Sequence, residues 1–194
     1  RGPVQATKNL TLALVGEVRG ELEPCGCPTL PYGGFERRHT QLDELRADAS
    51  APVFHLDLGD MLVKGIATNR GNELKARAQE MLRLSRVVGV DLWIPGPSDL
   101  VALPAKKIPK ESPVAVASAT WLHSQTGELI MPPFGILERD GLRIGVIGLS
   151  AEPKGHAELG YRDPLEAVTQ TLPLLPNDLD WIVAAGNVSD GEAD

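Results

Sequence analysis

Short apolar runs alternate with helical apolar stripes in the first half of the chain. The runs at residues 10–15 (LTLALV), 53–58 (VFHLDL) and 91–94 (DLWI) are bounded by Gly, Pro or Asp, as buried strands are. Between them, apolar residues recur at three- to four-residue spacing over 34–47 and 72–88, which predicts two amphipathic helices. This order of elements predicts parallel strands joined by crossover helices.

The second half of the chain begins with a proline-rich stretch. Five prolines between Pro95 and Pro113 predict a loop that crosses the surface and not a further helix. The run PVAVAS at 113–118 is a candidate strand. Beyond it, the pattern becomes that of a strand pair followed by a helix and a strand.

The dipeptide Asp140-Gly141 lies between two apolar runs. It predicts a β-hairpin, because a type I′ turn needs positive φ at both central residues. A last helix is predicted from Pro164 to about Leu172, and a final buried strand from Trp181 to Ala185. The whole pattern predicts an α/β fold with a mixed sheet.

Composition narrows the class of protein. A chain of 194 residues, 42% of them hydrophobic, can bury one core, so a single domain over residues 1–194 is predicted. A net charge of -7 argues against nucleic acid or an anionic membrane surface as the main partner. No apolar run reaches the roughly 18 residues of a transmembrane segment. The polar start, RGPVQATKN, fits an exported chain whose signal was removed and equally a cytosolic chain.

Both cysteines of the chain, Cys25 and Cys27, stand in one Pro- and Gly-rich loop, GELEPCGCPTLPYGGFERR. Pro24, Gly26 and Pro28 make this segment a turn and not a buried element. Three interpretations stay open: a disulfide closing a small, strained ring, a soft-metal site for an ion such as Cu(I), and a working redox pair. A disulfide would indicate an oxidising compartment.

The loops after the predicted strands carry the candidate chemistry, because ligands of open α/β sheets bind beyond the carboxyl ends of the strands. These loops contain GEVRGELEPCGC, GDMLVKG, PGPSDL and GNVSDGEAD. The series resembles the calcineurin-like metallophosphoesterases, in particular the 5′-nucleotidase branch. That family carries Asp-x-His, Gly-Asp, Gly-Asn-His-Asp/Glu, a His and a Gly-His-x-His in this order.

The first loop strengthens the resemblance. Several exported members of that branch are similar in a Leu-Glu-Pro-Cys-Gly-Cys run followed by Gly-Gly-x-x-Arg-Arg, which stands here as Gly33, Gly34, Arg37 and Arg38. The resemblance implies an α/β sandwich and an exported, periplasmic or extracellular protein.

Carried over by position, the metal site of that family is largely lost. Gly59-Asp60 is kept, but no Gly-His-x-His occurs. The resemblance therefore implies no catalytic residue, no metal and no cofactor, with a single divalent ion on Glu17, Asp60 and Asp99 as the alternative. The vestigial family positions are Glu17, Arg19, Asp60, Pro97, Ser98, Asp99 and Asn187.

Arg19 replaces a metal-binding imidazole of the family. A guanidinium there would repel a divalent cation and pair with an orphaned carboxylate. We therefore expect a salt bridge from Arg19 to Asp60, with Asp57 as a further candidate partner, in place of the metal. His39 and His55 fall on no family ligand position and are expected to be packed or solvated residues.

Three functions follow from these observations. The first is a non-catalytic metallophosphoesterase-like domain that serves as an exported scaffold or accessory subunit, because most metal ligands of the family are replaced. The family sandwich needs further strands, so either this sequence ends early or the sandwich is incomplete. A protein partner would then cover the open sheet. The alternatives are a residual metal-dependent phosphoesterase or 5′-nucleotidase, and a thiol-redox or copper-binding protein that uses Cys25 and Cys27.

Overall fold

The computed structural model describes residues 8–24, 26, 29, 33–63 and 71–188. Nine strands are described: β1 (Thr11–Val15), β2 (Val53–Asp57), β3 (Leu92–Trp93), β4 (Ala115–Val116), β5 (Trp121–His123), β6 (Phe134–Arg139), β7 (Leu142–Leu149), β8 (Leu159–Tyr161) and β9 (Trp181–Gly186). The α-helices among these residues are α1 (Phe35–Asp48), α2 (Gly71–Val87), α3 (Ile108–Glu111) and α4 (Pro164–Thr171).

Strands β1 to β4 form a parallel sheet in chain order. Val15 pairs with Asp57, and Asp57 pairs with Trp93, so β1, β2 and β3 end at the same level. The loops that follow these strands therefore meet at one edge of the sheet. This is the parallel arrangement that the sequence predicts.

A second sheet has the order β6-β7-β9. Strands β6 and β7 form the predicted hairpin, with Asp140 at φ 52° and Gly141 at φ 75° in its turn. Strand β9 pairs in parallel with β7, which makes this sheet mixed. Strands β5 and β8 form a separate antiparallel pair.

The two larger sheets pack face to face. Side chains of β2, β3 and β7, among them Phe54, Leu92 and Ile144, form a buried cluster between the sheets. Helices α1 and α2 cover the outer face of the parallel sheet, and α4 covers the outer face of the mixed sheet. The predicted α/β sandwich is confirmed. None of the described helices is long and apolar enough to cross a membrane.

The proline-rich stretch differs from its prediction as a loop without helix. It contains 3-10 turns at Pro97–Val101 and Ala105–Lys107, followed by α3. Proline is tolerated in the first turn of a helix, where no partner exists for its missing N–H, and here Pro97 and Pro109 stand at such positions. Short strands β5 and β8 were not predicted, because runs of three residues carry too little periodicity to be recognised.

Candidate functional site

The residues at the vestigial positions of the family that the sequence resembles lie in the loops that follow β1, β2, β3 and β9. We call them the strand-end site: Glu17, Arg19, Asp60, Pro97, Ser98, Asp99 and Asn187. Three of them, Glu17, Arg19 and Asp60, have φ between 51° and 55°, the left-handed region that non-glycine residues rarely adopt. Backbone strain of this kind concentrates at functional positions.

Backbone hydrogen bonds join the first two of these loops. Glu17 N–H donates to Gly59 O at 2.9 Å, and Arg19 N–H donates to Asp60 O at 2.8 Å. The parallel pairing of β1 and β2 thus continues beyond the strands. It fixes the unusual backbone of all three left-handed residues.

The predicted salt bridge between Arg19 and Asp60 is not formed in the described structure. Arg19 Nη2 lies 3.2 Å from Glu17 Oε2, and the two side chains are 44% and 69% exposed. Although the backbones of Arg19 and Asp60 are bonded, the Arg19 side chain points toward solvent. An exposed pair of this kind contributes little, about 0–1 kcal/mol.

The Asp60 and Asp99 carboxylates bind each other's loops. Asp99 Oδ2 accepts from Asp60 N–H at 3.0 Å and from Gly96 N–H at 2.8 Å, while Asp99 Oδ1 accepts from Leu62 N–H at 2.7 Å. In return, Asp60 Oδ1 accepts from Ser98 N–H at 2.8 Å. These bonds tie the loop after β2 to the loop after β3.

Asp99 is fully buried. Burial raises the pKa of its carboxyl to about 7, while the N–H bonds from Gly96 and Leu62 lower it and the nearby charges of Asp57 and Asp60 raise it. Three backbone N–H groups donate to the carboxylate, and such donors favour its ionised form against the effect of burial.

Asn187 links the loop after β9 to the same place. Its Oδ1 accepts from Ala151 N–H at 2.7 Å, which directs its Nδ2 toward Gly59 and Gly96. That nitrogen is buried and has no hydrogen-bond partner among the described residues. The side chain thus presents a donor, and not a metal ligand, to the centre of the strand-end site.

The strand-end site does not fit the metal centre of the family that the sequence resembles. Oδ2 of Asp99 is saturated by two backbone donors, Glu17 pairs with Arg19, and Asn187 presents an amide nitrogen. Over the described ranges, no group of three or more His, Cys, Asp or Glu could hold a metal ion. Glu17, Asp60 and Asp99 are therefore not assembled as a ligand set.

A group of buried polar side chains lies beneath α1. The sequence did not show that these side chains contact one another. Arg38 Nη2 lies 2.7 Å from His55 Nε2 and 3.1 Å from Asp57 Oδ2. His55 and Asp57 point to the same side of β2, as alternate residues of a strand do. The signal in the sequence was two polar residues at alternate positions of an otherwise apolar strand.

His55 is neutral at ordinary pH. A guanidinium can only donate, so Nε2 accepts from Arg38, and Nδ1–H donates to Gly89 O at 3.2 Å. Burial, and secondly the charge of Arg38, lower the pKa of His55 to about 4. His55 is thus a packed residue, while His39 lies on the surface of α1, where its Nδ1 is 3.0 Å from Asp43.

A pocket of about 380 Å³ lies between the loop after β1 and the start of α1. Its walls include Glu17, Phe35, Arg38 and Gln41. Cys25 and Cys27 fall outside the described residues. The disulfide, soft-metal and redox alternatives for them therefore stay predictions.

Comparison with known proteins places this architecture. No family model and no curated protein matches the sequence. Among solved structures, a 5′-nucleotidase precursor from Thermus thermophilus is 21% identical with a TM-score of 0.73, over 95% of this chain and 38% of that one. A calcineurin-like phosphoesterase from Bacillus subtilis is 14% identical with a TM-score of 0.68, over 90% of this chain and 60% of that one.

Further structures agree. The NAD nucleotidase of Haemophilus influenzae is 16% identical with a TM-score of 0.68, over 95% of this chain and 35% of that one. The chain thus spans between 35% and 60% of the length of these three proteins. At such identities the likeness concerns architecture, and the chain has the fold of the 5′-nucleotidases and calcineurin-like phosphoesterases.

Proposed function

We propose that this chain is a metallophosphoesterase-like domain that does not hydrolyse phosphoesters and serves as an exported scaffold or accessory subunit. The observation that carries the proposal is the state of Asp60 and Asp99. In place of an open ligand set, their carboxylates accept hydrogen bonds from the protein's own backbone. A two-metal hydrolase needs open coordination positions that clamp the phosphoryl oxygens.

The electrostatics of the strand-end site support the same proposal. Substrate phosphate is an anion, and the strand-end site holds the carboxylates of Asp60 and Asp99. The one arginine of the strand-end site, Arg19, pairs with Glu17 at the surface. Catalysis of phosphoryl transfer depends on positive charge held at the transferring group, which this arrangement does not supply.

Exposed apolar side chains support a protein partner. Leu165, Leu174 and Ile182 are 73%, 61% and 49% exposed, and they come from α4, the turn that follows it, and β9. Within the described sheets, β9 pairs only with β7, so its other edge carries unpaired backbone groups. Exposed apolar side chains and a free strand edge are each typical of a protein interaction surface.

A hydrolysis assay tests the proposal. We expect no release of phosphate from 5′-AMP or p-nitrophenyl phosphate above the rate of buffer alone, with Mg²⁺, Mn²⁺ or Zn²⁺ present. The control is an Asp60→Ala variant purified identically, which would share any contaminating activity. Metal-dependent hydrolysis by the wild-type chain that is lost in Asp60→Ala would disprove the proposal and favour the residual phosphoesterase.

A further inference from the structure

We propose that Asp60 and Asp99 form a strand-end clasp, which fixes the ends of β2 and β3 without a divalent cation. The clasp consists of the two carboxylates and the backbone N–H groups of Asp60, Leu62, Gly96 and Ser98. In the resemblance, Asp60 occupies the position of a metal ligand and Asp99 that of the acidic residue that ends the Gly-Asn-His-Asp/Glu motif, but their observed contacts give both a structural role.

The clasp is reciprocal. The Asp99 side chain binds the backbone N–H of Asp60, and the Asp60 side chain binds the backbone N–H of Ser98, next to Asp99. Each loop therefore supplies both a carboxylate acceptor and a backbone donor to the other. Such paired bonds restrict the separation and the relative orientation of the two loops, which is what a bridging metal ion would otherwise do.

The acceptor capacity of Asp99 is nearly filled. A carboxylate oxygen has two lone-pair sites, and those of Oδ2 receive Asp60 N–H and Gly96 N–H. The other oxygen accepts Leu62 N–H, and the whole residue is excluded from solvent. Coordination of a metal by Asp99 would break bonds to backbone donors that are left buried and unpaired.

Asp60 has a different status, because only one of its oxygens is needed. Oδ1 accepts Ser98 N–H, and asparagine can supply the same acceptor with its amide oxygen. The clasp therefore distinguishes the two residues. Replacement of Asp by Asn is therefore tolerated at position 60. At position 99 the same replacement turns an NH₂ group toward a backbone N–H donor.

Thermal unfolding of the full chain tests the clasp. We expect the Tm of the wild type to change by less than about 1 °C on adding EDTA or on adding millimolar Mg²⁺, Mn²⁺ or Zn²⁺, because ligand binding raises stability only by binding the folded state. Asp99→Asn should lower the Tm by about 5–10 °C through unpaired buried donors. Asp60→Asn should stay within about 2 °C of wild type.

Two further variants sharpen the comparison. Asp60→Ala removes the acceptor and should lower the Tm more than Asp60→Asn does. Ser98→Ala is the matched control, since the clasp uses only the backbone of Ser98, and it should leave the Tm unchanged.

The clasp is refuted if Asp99→Asn unfolds at the wild-type temperature. It is also refuted if EDTA lowers the wild-type Tm, or if a divalent ion raises it and Asp60→Asn abolishes that rise. If Asp99→Asn fails to fold, the clasp is still tested by the metal titration of the wild type and by the two Asp60 variants. The inference rests on the same hydrogen bonds as the proposed function, but the two experiments distinguish them, because phosphate release tests hydrolysis whereas unfolding tests the clasp.

Discussion

Arg38 holds its positive charge almost entirely within the protein, between His55 and Asp57. Burial raises the pKa of the Asp57 carboxyl, and the Arg38 charge opposes that rise. The free-energy cost of desolvating two buried charges of opposite sign is offset only by their attraction for each other. The pair is therefore a point where a single side-chain change has a large effect.

Arg38→Met should lower the free energy of unfolding by about 3–5 kcal/mol, because it leaves Asp57 as an uncompensated buried carboxylate. Urea denaturation monitored by circular dichroism measures the change. Arg37→Met is the matched control, since Arg37 is the exposed neighbour on the same helix, and its effect should stay within about 0.5 kcal/mol. Equal losses in the two variants would show that the buried pair contributes nothing specific.

His55 should make stability depend on pH. Its pKa is about 4 in the folded chain and about 6.5 when unfolded, so the unfolded state binds the proton more readily. Stability from the neutral imidazole is complete above pH 6.5 and is lost as the pH falls toward 4. The contribution of His55 should fall by about 3 kcal/mol at the lower end, while Asp99, whose pKa is raised to about 7, changes stability in the opposite direction; the difference between the wild-type and His55→Gln profiles isolates the histidine.

Urea denaturation at a series of pH values between 7 and 4 tests this dependence. His55→Gln lacks the titrating ring and should show a smaller loss across the window, although its stability at pH 7 is lower. His39→Gln is the control, because His39 lies on the helix surface, and it should keep the wild-type profile. A profile unaltered by His55→Gln would contradict the assignment.

At the scale of elements, the strand-end loops approach so closely that only glycine fits between them. A Cβ on Gly59 would meet the Asn187 amide nitrogen and would lie 2.5 Å from Gly96 N and 2.6 Å from Ile94 O. Gly59 also has φ 97°, a region that side chains disfavour. The loops after β2, β3 and β9 thus depend on this residue.

Gly59→Ala should destabilise the chain by more than about 3 kcal/mol, through backbone overlap added to the cost of its φ. The matched control is Gly127→Ala, because Gly127 has φ 70° but open space where a Cβ would lie, and its cost should be about 1–2 kcal/mol. The difference between the two isolates the contact with Asn187 and Gly96. Thermal unfolding that gave equal costs would show that the loops are free to separate.

At the scale of the whole molecule, neighbouring leucines separate the covered from the open part of the surface. Leu174 is 61% exposed, whereas Leu175 is 7% exposed and packs with α4 and β7. Both belong to the same turn after α4, so they share a local backbone and differ in burial. The exposed member lies on the side where we propose a partner.

Leu175→Ser should lower the free energy of unfolding by about 2–4 kcal/mol, as loss of a buried aliphatic side chain does. Leu174→Ser should change it by less than about 0.5 kcal/mol and should reduce binding of the dye ANS, which reports exposed apolar surface. Urea denaturation and dye fluorescence of the two variants measure these effects. A large stability loss in Leu174→Ser would show that this residue already packs within the chain.

The sequence alone determined the order of elements and the place of the candidate site. Apolar periodicity is local, so the main strands, the helices α1, α2 and α4 and the Asp140-Gly141 hairpin could be predicted to within a residue or two. Parallel strands end at one edge, so the loops at Glu17, Asp60, Asp99 and Asn187 could also be expected to meet.

Only the tertiary structure decided which side chains pair. The sequence pointed to an arginine that neutralises a carboxylate, and it favoured Arg19 with Asp60, with Asp57 as a further partner. In the structure, Arg38 reaches Asp57 from α1, while Arg19 turns to Glu17. Such choices depend on differences of about an ångström in the distances between side chains, and on their burial. Neither is encoded in the spacing of residue types along the chain.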